Sequence, residues 1–527
     1  MAIRHGWSIA VSTCILSACG GGSDDVTVVP SPQACSAEAL AKLSLPDAQV
    51  IAASAVAAGE FRPRENARPL QNLPAFCRVN AVSTPTPASR IEFELWIPDG
   101  EAWNGKLVTT GNGGYSPALS YDDMAYAMRQ GYAVVGGDTG HQTEDMEWGF
   151  QNPERIRDWG SRSIHAITVA SKAILEGATT RTASRSYYLG CSTGGHQGFA
   201  QTQQYPADFD GVIAGAPGNN RTALNMEFLW RFRANRPFGD NTTQYLDSAA
   251  LNLITRSAVQ ACDRLDGVAD GVIDDPRQCT TEHFDGASLR CPSADGGACL
   301  TDAQITAAQA IYQGPRNPRT GAQLYPGWAV GSESGWAGYM GFGAPVRADF
   351  WRLWVFEDRA WDWWTFDFDQ DVDTAYRKIA PLVDQTSVDL SGFKARNGKL
   401  IVYHGWNDPV VSPFDSIDYY ERVAREQGSA GAMNDFYRLF LVPGMGHCQG
   451  GPGVTQLRST DPSPRPQQDL LAALDRWVES GVAPDDVIAA RDVSGEPRRT
   501  RPLCAYPTKA VYDGAGPPEA ASSYQCR

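Results

Sequence analysis

Two kinds of apolar pattern alternate along most of the chain. Residues 91–97 alternate between apolar and polar side chains, which predicts an antiparallel strand with one buried face. Shorter runs rich in apolar and β-branched residues predict further strands at 106–110, 132–136, 187–189, 211–217, 399–406 and 436–442. Helical segments are predicted between them at 161–176, 195–204, 414–427 and 468–480. Strands that alternate with helices predict an α/β fold, with a mostly parallel sheet covered by helices on both faces.

The pattern is less regular in two regions. Residues 35–90 are mixed, with a predicted helix near 48–58. After about residue 220 the alternation breaks, and the loop-rich segment that follows holds eight of the 15 tryptophans and four of the 12 cysteines. We predict a lid domain at 222–397, inserted into a core made of 35–221 and 398–527. Most of its aromatic side chains should form the lid core, and a few should line a pocket for flat ligands.

The N-terminus has the organisation of an export signal. Arg4 supplies a positive charge, and residues 7–16 form an apolar run too short for a good membrane span. The tetrapeptide Leu-Ser-Ala-Cys that ends at Cys19 resembles the lipobox of bacterial lipoproteins. We predict a lipoprotein signal peptide at 1–19, a flexible linker at 20–34 and membrane attachment through a lipid on Cys19. A plain secretory signal is the alternative, and either one places the mature protein outside the cytoplasm, in the periplasm, at the outer membrane or in the medium.

Charge and cysteine content narrow the class of protein. The 527 residues include 42% hydrophobic and 20% charged residues, which is typical of a soluble globular protein. A net charge of −15 without any basic block argues against a nucleic-acid partner. Ten cysteines remain after Cys14 and Cys19, and an even number in an exported protein predicts five disulfides. No C-x-x-C pair occurs, which disfavours a zinc or redox site.

The stretch Gly-Cys-Ser-Thr-Gly at 190–194 lies between a predicted strand and a predicted helix. It matches the G-x-S-x-G nucleophile elbow of the α/β-hydrolase fold, in which glycines make room for a strained serine at a sharp turn. The turn exposes the Ser192 hydroxyl and places the Thr193 N–H at a helix start, where it can donate to an oxyanion. A glycine loop at 111–114 follows an upstream strand, so we predict the second donor at Gly113 or Gly114, with an ordinary turn as the alternative.

In this fold an acid and a histidine must follow the serine, in that order. Of the seven histidines, only His447 lies downstream of an acid at a strand end, on a glycine-rich loop after a strand. Asp408, in Asn-Asp-Pro directly after an apolar strand, is the predicted acid, whereas Asp415 is predicted to be a helix-surface charge. We expect His447 to take the Ser192 proton and later return one to the leaving alcohol. Asp408 then holds the imidazole tautomer and stabilises the imidazolium.

Cysteines lie directly beside two of these residues. Cys191 precedes Ser192, and Cys448 follows His447. If the serine and the histidine are within hydrogen-bond reach, the two cysteines can lie close enough for a disulfide. Such a bridge would hold both catalytic loops in register. The alternative is that the two cysteines are unrelated.

An acidic stretch with interleaved glycines lies between Cys262 and Cys279. Asp263, Asp266 and Asp270 could place carboxylate and carbonyl oxygens around Ca²⁺. The spacing is not that of an EF-hand, and a solvated acidic turn is the alternative. We predict a structural calcium ion and no organic cofactor.

Together these motifs resemble the tannase and feruloyl esterase family of serine hydrolases, and they cover most of the chain beyond the signal. The matching pieces are GCSTGG at 190–195, DGVIAGAP at 210–217, CDRLDGVADG at 262–271, FDFD at 366–369, YHGWND at 403–408 and VPGMGHC at 442–448. The Cys-Ser and His-Cys pairs are the most specific of these features.

The resemblance implies an α/β-hydrolase core with an inserted lid. It also implies calcium in the lid, held by the three aspartates above and by the carbonyl groups of Val268 and Val272. The implied disulfides are Cys191–Cys448, Cys35–Cys77, Cys262–Cys279, Cys291–Cys299 and Cys504–Cys526.

The family's substrates are small esters of aromatic acids, of galloyl, feruloyl and similar type. One branch hydrolyses mono(2-hydroxyethyl) terephthalate and uses a lid arginine for the free carboxylate; Arg352 and Arg359 are candidates here, with Trp364 as a further substrate contact. That branch resembles G-C-S-E-G-G at the elbow, whereas Thr193 stands in this chain. The favoured interpretation is an exported serine esterase acting on aromatic carboxylic esters through acyl-Ser192. A terephthalate monoester hydrolase and a non-catalytic surface binding lipoprotein are the alternatives.

Overall fold

The computed structural model describes residues 35–292, 298–492 and 498–527, so the predicted signal peptide and linker lie outside the described residues. Its strands are β1 (Ala48–Val56), β2 (Gly59–Phe61), β3 (Leu70–Leu73), β4 (Phe76–Ser83), β5 (Ile91–Pro98), β6 (Lys106–Thr110), β7 (Ala133–Gly137), β8 (Arg185–Cys191), β9 (Gly211–Gly215), β10 (Lys399–Gly405), β11 (Tyr437–Val442), β12 (Asp486–Arg491), β13 (Arg499–Cys504), β14 (Ala510–Tyr512) and β15 (Tyr524–Cys526). Its α-helices are α1 (Ala37–Leu40), α2 (Tyr121–Arg129), α3 (Pro153–Arg157), α4 (Ser163–Thr179), α5 (Thr193–Gln204), α6 (Arg221–Ala234), α7 (Ser248–Cys262), α8 (Asp302–Gln313), α9 (Gln370–Lys378), α10 (Ala380–Val383), α11 (Ser391–Ala395), α12 (Pro413–Glu426) and α13 (Leu470–Ser480).

A nine-stranded sheet forms the centre of the fold, in the order β1-β4-β5-β7-β6-β8-β9-β10-β11. The strands from β7 to β11 in this order pair in parallel, and β1, β4 and β5 add an antiparallel edge. The predicted α/β class and mostly parallel sheet are therefore confirmed. The carboxyl ends of parallel strands meet at one edge, which is where loops carry sites in such sheets.

Successive side chains of the central strands enter two different cores. Leu107, Tyr188 and Val212 pack in one apolar cluster, whereas their neighbours Val108 and Tyr187 pack in the other. Side chains of a strand point alternately to opposite faces of the sheet, so a strand that is apolar throughout needs a cover on both faces. This explains why the continuous apolar runs in the sequence became the central strands.

The predicted helix near 48–58 is wrong, because residues Ala48–Val56 form the edge strand β1. The alanine-rich sequence has a high intrinsic preference for helix, but pairing with β4 along its whole length prevails. A register shift between Val50 and Ala52 interrupts that pairing. Cys35, just upstream, is bonded to Cys77 of β4, which fixes the N-terminal segment against the same strand.

Residues 222–397 contribute no strand to the central sheet within the described part of the chain. Helices α7 and α8 pack around an apolar cluster of their own that includes Leu251 and Ile305. A second cluster brings Trp354 of this segment against Trp159 of the core, with ring centroids 5.6 Å apart. The segment thus has its own core and also packs on the sheet domain; its exact bounds as a domain stay a prediction.

None of the helices in the described ranges is both long enough and apolar enough to cross a membrane.

Candidate active site

The serine of the predicted elbow lies at the junction of β8 and α5. Ser192 has φ 65° and ψ −119°, a left-handed conformation that is strained for a residue with a side chain. The turn is tight: a Cβ added to Gly190 would lie 2.8 Å from the backbone of Gly194, and one added to Gly195 would lie 2.3 Å from the carbonyl oxygen of Gly215. Glycine is therefore required at these positions by contact, and the strain is held by the packing around the turn.

Ser192, His447 and Asp408 form a hydrogen-bonded line at the carboxyl ends of three parallel strands. The distance from His447 Nε2 to Ser192 Oγ is 2.8 Å, and from His447 Nδ1 to Asp408 Oδ2 it is 2.7 Å. Ser192 follows β8, while the acid follows β10 and the histidine follows β11. The three residues chosen from order and strand ends thus lie together, with the base between nucleophile and acid.

Asp408 is fully buried and surrounded by donors. Its Oδ1 accepts hydrogen bonds from the Val410 and Val411 N–H groups at 2.7 and 3.0 Å. Burial by itself raises the pKa of this carboxyl, but the nearby His447 and His404 imidazoles outweigh it and hold the pKa well below its usual range. An ionised carboxylate at this position stabilises positive charge on His447.

The Cys191–Cys448 disulfide joins the two catalytic loops. The Cα atoms of the two cysteines are 6.0 Å apart, and the bridge spans 257 residues of sequence. The other bridges are Cys35–Cys77, Cys262–Cys279, Cys291–Cys299 and Cys504–Cys526, so all five pairs are those that the family resemblance implied. The nucleophile and the base are therefore each next to one end of the same covalent link.

The predicted oxyanion donors lie at the same end of the sheet. Thr193 is the first residue of α5, where backbone N–H groups have no partner within the helix. In the glycine loop, the Asn112 N–H donates to Gln197 Oε1 at 3.1 Å and is thus committed elsewhere. Gly113 and Gly114 line the cavity that also contains Ser192. The arrangement is compatible with an oxyanion hole made by Thr193 and one of these two glycines.

A cavity of about 780 Å³ opens at the catalytic line and includes Ser192 and His447 in its wall. The segment 222–397 supplies Tyr339 and Arg347 to this wall. Both lie just before the aromatic run at 350–355, so the predicted lid contributes to the cavity through a neighbouring loop.

The three predicted substrate contacts lie elsewhere. Arg352 is ion-paired with Asp349, and Arg359 is ion-paired with Glu147 at 2.6 Å. Trp364 donates its indole N–H to Asn241 at 2.8 Å. None of the three is among the residues that line the catalytic cavity. Nearness in sequence to the aromatic runs does not place these arginines in the cavity, because one is paired with its neighbour Asp349 and the other with Glu147 of the core.

Arg347 is the cavity residue that sequence reasoning missed. Its guanidinium lies over the rings of Tyr115 and Phe228, at 5.2 and 5.0 Å from their centroids. Its Nη1 atom is buried without a hydrogen-bond partner in the described part of the chain. Burial lowers the pKa of this guanidinium, although a minor part of the side chain stays exposed. No spacing rule in the sequence distinguishes it from the other arginines.

Two further predictions need correction or completion. Asp415 is not a surface charge: it is 3% exposed, and burial raises its pKa to about 7. It lies in the first turn of α12, whose N-terminal end is packed inward. His404, which precedes Asp408 in the same strand-and-turn segment, is fully buried with Nε2 3.3 Å from Asp408 Oδ2. No local pattern indicates which helix face or strand end is covered in the folded chain.

The acidic stretch folds as a compact loop after α7. Asp263 Oδ1 accepts hydrogen bonds from the Asp270, Gly271 and Val272 N–H groups at 3.2, 2.9 and 3.2 Å, and Asp266 Oδ1 accepts one from the Val268 N–H at 2.9 Å. The N–H groups of Val268 and Val272 thus donate hydrogen bonds to the aspartates of this loop. Across 35–292, 298–492 and 498–527, no three His, Cys, Asp or Glu side chains are arranged to hold a metal ion.

Arg501 of β13 is the internal cation of this loop. Its Nη2 contacts Asp270 Oδ2 at 2.8 Å, and its Nη1 contacts Asp274 and approaches Asp266 at 3.7 Å. Asp266 Oδ2 is buried without a hydrogen-bond partner, and burial next to other acids raises the pKa of Asp274 to about 8. The loop therefore offers hard oxygen donors with more negative than positive charge, a donor set whose chemistry fits calcium.

Comparisons with known proteins agree with the fold and show the family of the chain. The tannase and feruloyl esterase family profile matches residues 77–527. An uncharacterized esterase of Xanthomonas campestris pv. campestris is 37% identical over 541 residues, covering 95% of this chain and 92% of that protein. Feruloyl esterase C of Talaromyces stipitatus is 36% identical over 451 residues, covering 84% and 83% of the two chains.

Solved structures show the same architecture. The crystal structure of feruloyl esterase B from Aspergillus oryzae superposes with a TM-score of 0.86 at 31% identity, covering 93% of this chain and 100% of that one. Tannin acyl hydrolase from Aspergillus niger shares the fold, with a TM-score of 0.75 at 20% identity over 94% and 95% of the two chains. The fold and the relatives together show that this chain is a carboxylic ester hydrolase with an α/β-hydrolase core. The chain belongs to the tannase and feruloyl esterase family.

Proposed function

We propose that the protein is an exported serine esterase that hydrolyses esters of aromatic carboxylic acids, of the feruloyl or galloyl type, through an acyl-Ser192 intermediate. The observation that carries this proposal is the line Ser192–His447–Asp408 in the wall of a cavity of about 780 Å³. Relatives named feruloyl esterases support the acyl group, and the family profile supports the galloyl alternative.

The proposed reaction has two halves that use the same base. His447 Nε2 accepts the Ser192 proton while Oγ attacks the ester carbonyl, and the Thr193 N–H with that of Gly113 or Gly114 stabilises the oxyanion. Collapse expels the alcohol, which takes its proton from His447, and leaves an acyl-serine. Water then loses a proton to His447 and attacks the acyl carbon, and the returning proton restores Ser192 as the aromatic acid leaves. Asp408 stays ionised throughout.

We propose that a structural calcium ion is held in the acidic loop by Asp263, Asp266 and Asp270, with the carbonyl groups of Val268 and Val272. The fit of the donor set supports this: the loop carries an unpartnered buried carboxylate oxygen and more acids than Arg501 neutralises. Calcium would add positive charge to a loop that is anchored to α7 through Cys262–Cys279. It takes no part in the reaction.

Export is the proposed fate of the mature chain. The five disulfides support an oxidising compartment. Attachment to a membrane by a lipid on Cys19 rests on the sequence alone. Replacing Cys19 by serine should release the protein from the membrane fraction if a lipid holds it.

One observation favours a second candidate, a terephthalate monoester hydrolase. Arg347 lines the cavity with a guanidinium nitrogen that lacks a partner, and such a group would bind a free carboxylate on the acyl ring. Thr193, in place of the glutamate typical of that branch, favours the feruloyl or galloyl reading. The two candidates differ in the charge at the far end of the acyl group.

The experiment is a side-by-side assay of methyl ferulate, methyl gallate and mono(2-hydroxyethyl) terephthalate, with Ser192→Ala as the control. We expect kcat/KM for one of the first two esters to exceed that for the terephthalate by at least about tenfold, and no turnover by the variant. Preference for the terephthalate, lost in Arg347→Met, would establish the second candidate instead. Retained turnover in Ser192→Ala would contradict both.

A further inference from the structure

A buried arginine lies directly behind the catalytic elbow. Arg221, the first residue of α6, is 1% exposed, and its Nη2 donates to Thr193 Oγ1 at 3.1 Å. Thr193 is the residue that follows the nucleophile and carries the proposed oxyanion donor. The arginine thus contacts the side chain of the residue whose backbone must be aimed at the reacting carbonyl.

This guanidinium is poorly compensated for a buried cation. Its Nε is buried without a hydrogen-bond partner, and burial lowers its pKa to about 10. The nearby Asp384 carboxylate is engaged by Thr222, through the backbone N–H at 2.8 Å and the hydroxyl at 3.0 Å. Removing a charge from water without a close counter-ion is unfavourable, so a site that retains one is a candidate for function.

Aromatic rings fix the orientation of the guanidinium. Its central carbon lies 5.2 Å from the centroid of the Trp159 ring and 6.0 Å from that of Tyr115. Arg347 lies over the same Tyr115 ring at 5.2 Å. Two arginines therefore flank the Tyr115 ring, one bonded to Thr193 and the other in the wall of the catalytic cavity, and both add positive charge to this side of the elbow.

We infer that Arg221 is a positioning residue of the oxyanion hole, holding Thr193 through its hydroxyl and adding positive charge behind the Thr193 N–H. The inference rests on the proposed serine mechanism and deepens it. Strained turns keep their geometry only when their surroundings over-determine it, and Ser192 at φ 65° is such a turn. The hydrogen bond from Arg221 fixes the turn from its C-terminal side, whereas the Cys191–Cys448 bridge fixes it from the other.

The inference predicts a loss that is specific to the transition state. Arg221→Met keeps the length and volume of the side chain but removes the charge and the donor, and Thr193→Val keeps the shape of the acceptor residue but removes its hydroxyl. We expect Arg221→Met to lower kcat about 30-fold with little change in KM, below the loss of about 10²–10³ seen when an oxyanion donor itself is removed. Thr193→Val should lose less.

Two readouts separate positioning from simple support of the fold. Affinity for a tetrahedral-state mimic, such as an aryl boronic acid, should fall by the same factor as kcat in each variant, because both report oxyanion binding. Arg221→Lys should recover part of the loss by restoring the charge. The effects of Arg221→Met and Thr193→Val should be less than additive in the double variant, since both remove one hydrogen bond.

Arg236→Met is the matched control. This arginine lies just past the other end of α6, is 3% exposed and donates to the Phe232 and Met340 carbonyl groups. It should keep kcat and boronate affinity near wild type even if the melting temperature falls. If Arg221→Met does not fold, Thr193→Val carries the same test.

Different results would overturn the role of Arg221 and the proposed serine mechanism. Wild-type kcat and boronate affinity in folded Arg221→Met or Thr193→Val would overturn the inference while leaving Ser192 as nucleophile. An equal loss in Arg236→Met would also overturn it, because the effect would then be one of general stability. If the Ser192→Ala variant keeps the turnover of the wild-type enzyme, that result would instead refute the proposed function on which the inference rests.

Discussion

The fully buried catalytic acid and the partly buried acids of the acidic loop have opposite electrostatic balance. In the catalytic centre a single acid, Asp408, receives two backbone N–H groups and the His447 imidazole, and its pKa is held well below its usual range. In the acidic loop Asp266, Asp270 and Asp274 share one cation, Arg501. Burial raises the pKa of Asp274 to about 8.

The difference shows that residue type does not set the charge of a buried acid. Enough donors make the ionised form of Asp408 stable, so the catalytic centre is complete with its own side chains. The acidic loop carries surplus negative charge, and additional positive charge would stabilise it. Substitutions in the catalytic centre should therefore change mainly kcat. Cations that bind the acidic loop should change mainly the free energy of unfolding.

The largest effect is expected from Asp408→Asn. The amide keeps the size of the side chain but removes the charge that stabilises the His447 imidazolium and fixes its tautomer. We expect kcat to fall by on the order of 10³–10⁴ with an almost unchanged fold. Kinetics on methyl ferulate and a circular-dichroism melt measure the two quantities. A loss below about tenfold in the folded variant would remove Asp408 from its assigned role.

The second test removes the covalent link between the catalytic loops. The double variant Cys191→Ser/Cys448→Ser should lower the free energy of unfolding by about 2–5 kcal/mol, and it should lower turnover at temperatures where the protein stays folded. Cys35→Ser/Cys77→Ser is the matched control, because that bridge lies at the sheet edge away from Ser192. Equal turnover in the two folded variants would show that the catalytic bridge serves stability alone.

The third test addresses the acidic loop with the intact protein. Chelation by EGTA should lower the melting temperature by several degrees, and added Ca²⁺ should restore it more effectively than Mg²⁺, since Ca²⁺ accepts an irregular set of oxygen ligands. The loss should be about 2–3 kcal/mol if the Kd for Ca²⁺ is about a hundredfold below the working Ca²⁺ concentration. Asp263→Asn/Asp266→Asn should abolish the response. A melting temperature that EGTA leaves unchanged would argue that Arg501 alone balances the loop.

The smallest effect concerns Asp384, a partly buried acid whose Oδ1 accepts two hydrogen bonds from Thr222. Burial raises its pKa to about 7. Between about pH 4 and that pKa the folded state keeps a proton that the unfolded state has lost, so stability declines as pH rises and levels off above the folded pKa.

Asp384→Asn cannot ionise, so its decline in stability from pH 5 to pH 8 should be shallower by about 2–3 kcal/mol. Urea unfolding at both pH values measures the difference, and Glu282→Gln on the surface is the control. Parallel curves for Asp384→Asn and wild type would mean that Asp384 is ionised in the folded protein.

Much of the fold and of the site could be predicted from sequence, because both depend on local constraints. Strands buried on both faces are continuously apolar, and a strained serine turn needs glycine at fixed spacing. The order of serine, acid and histidine then limits the choice to Asp408 and His447. The Cys191–Cys448 disulfide can be predicted from the same order, because the two cysteines are sequence neighbours of Ser192 and His447, which must lie within hydrogen-bond distance.

The features that sequence analysis missed depend on packing between distant segments, which no local sequence pattern predicts. The edge strand β1 has a helical composition and is a strand only because β4 offers it a partner. Asp415 is covered because the N-terminal end of α12 packs inward. Arg221 and Arg347 reach the catalytic centre from segments that sequence analysis assigned to the end of the core and to the lid, and nothing near them in sequence indicated it.

The most direct test of the central claim is rapid quenching of the enzyme with methyl ferulate, followed by peptide mapping. The acid-quenched protein should carry a feruloyl group in ester linkage on the peptide that contains Ser192, at a level that rises within the first turnover. The Ser192→Ala variant should carry none. Ferulate release without any acyl group on Ser192, or with the group on another residue, would contradict the account.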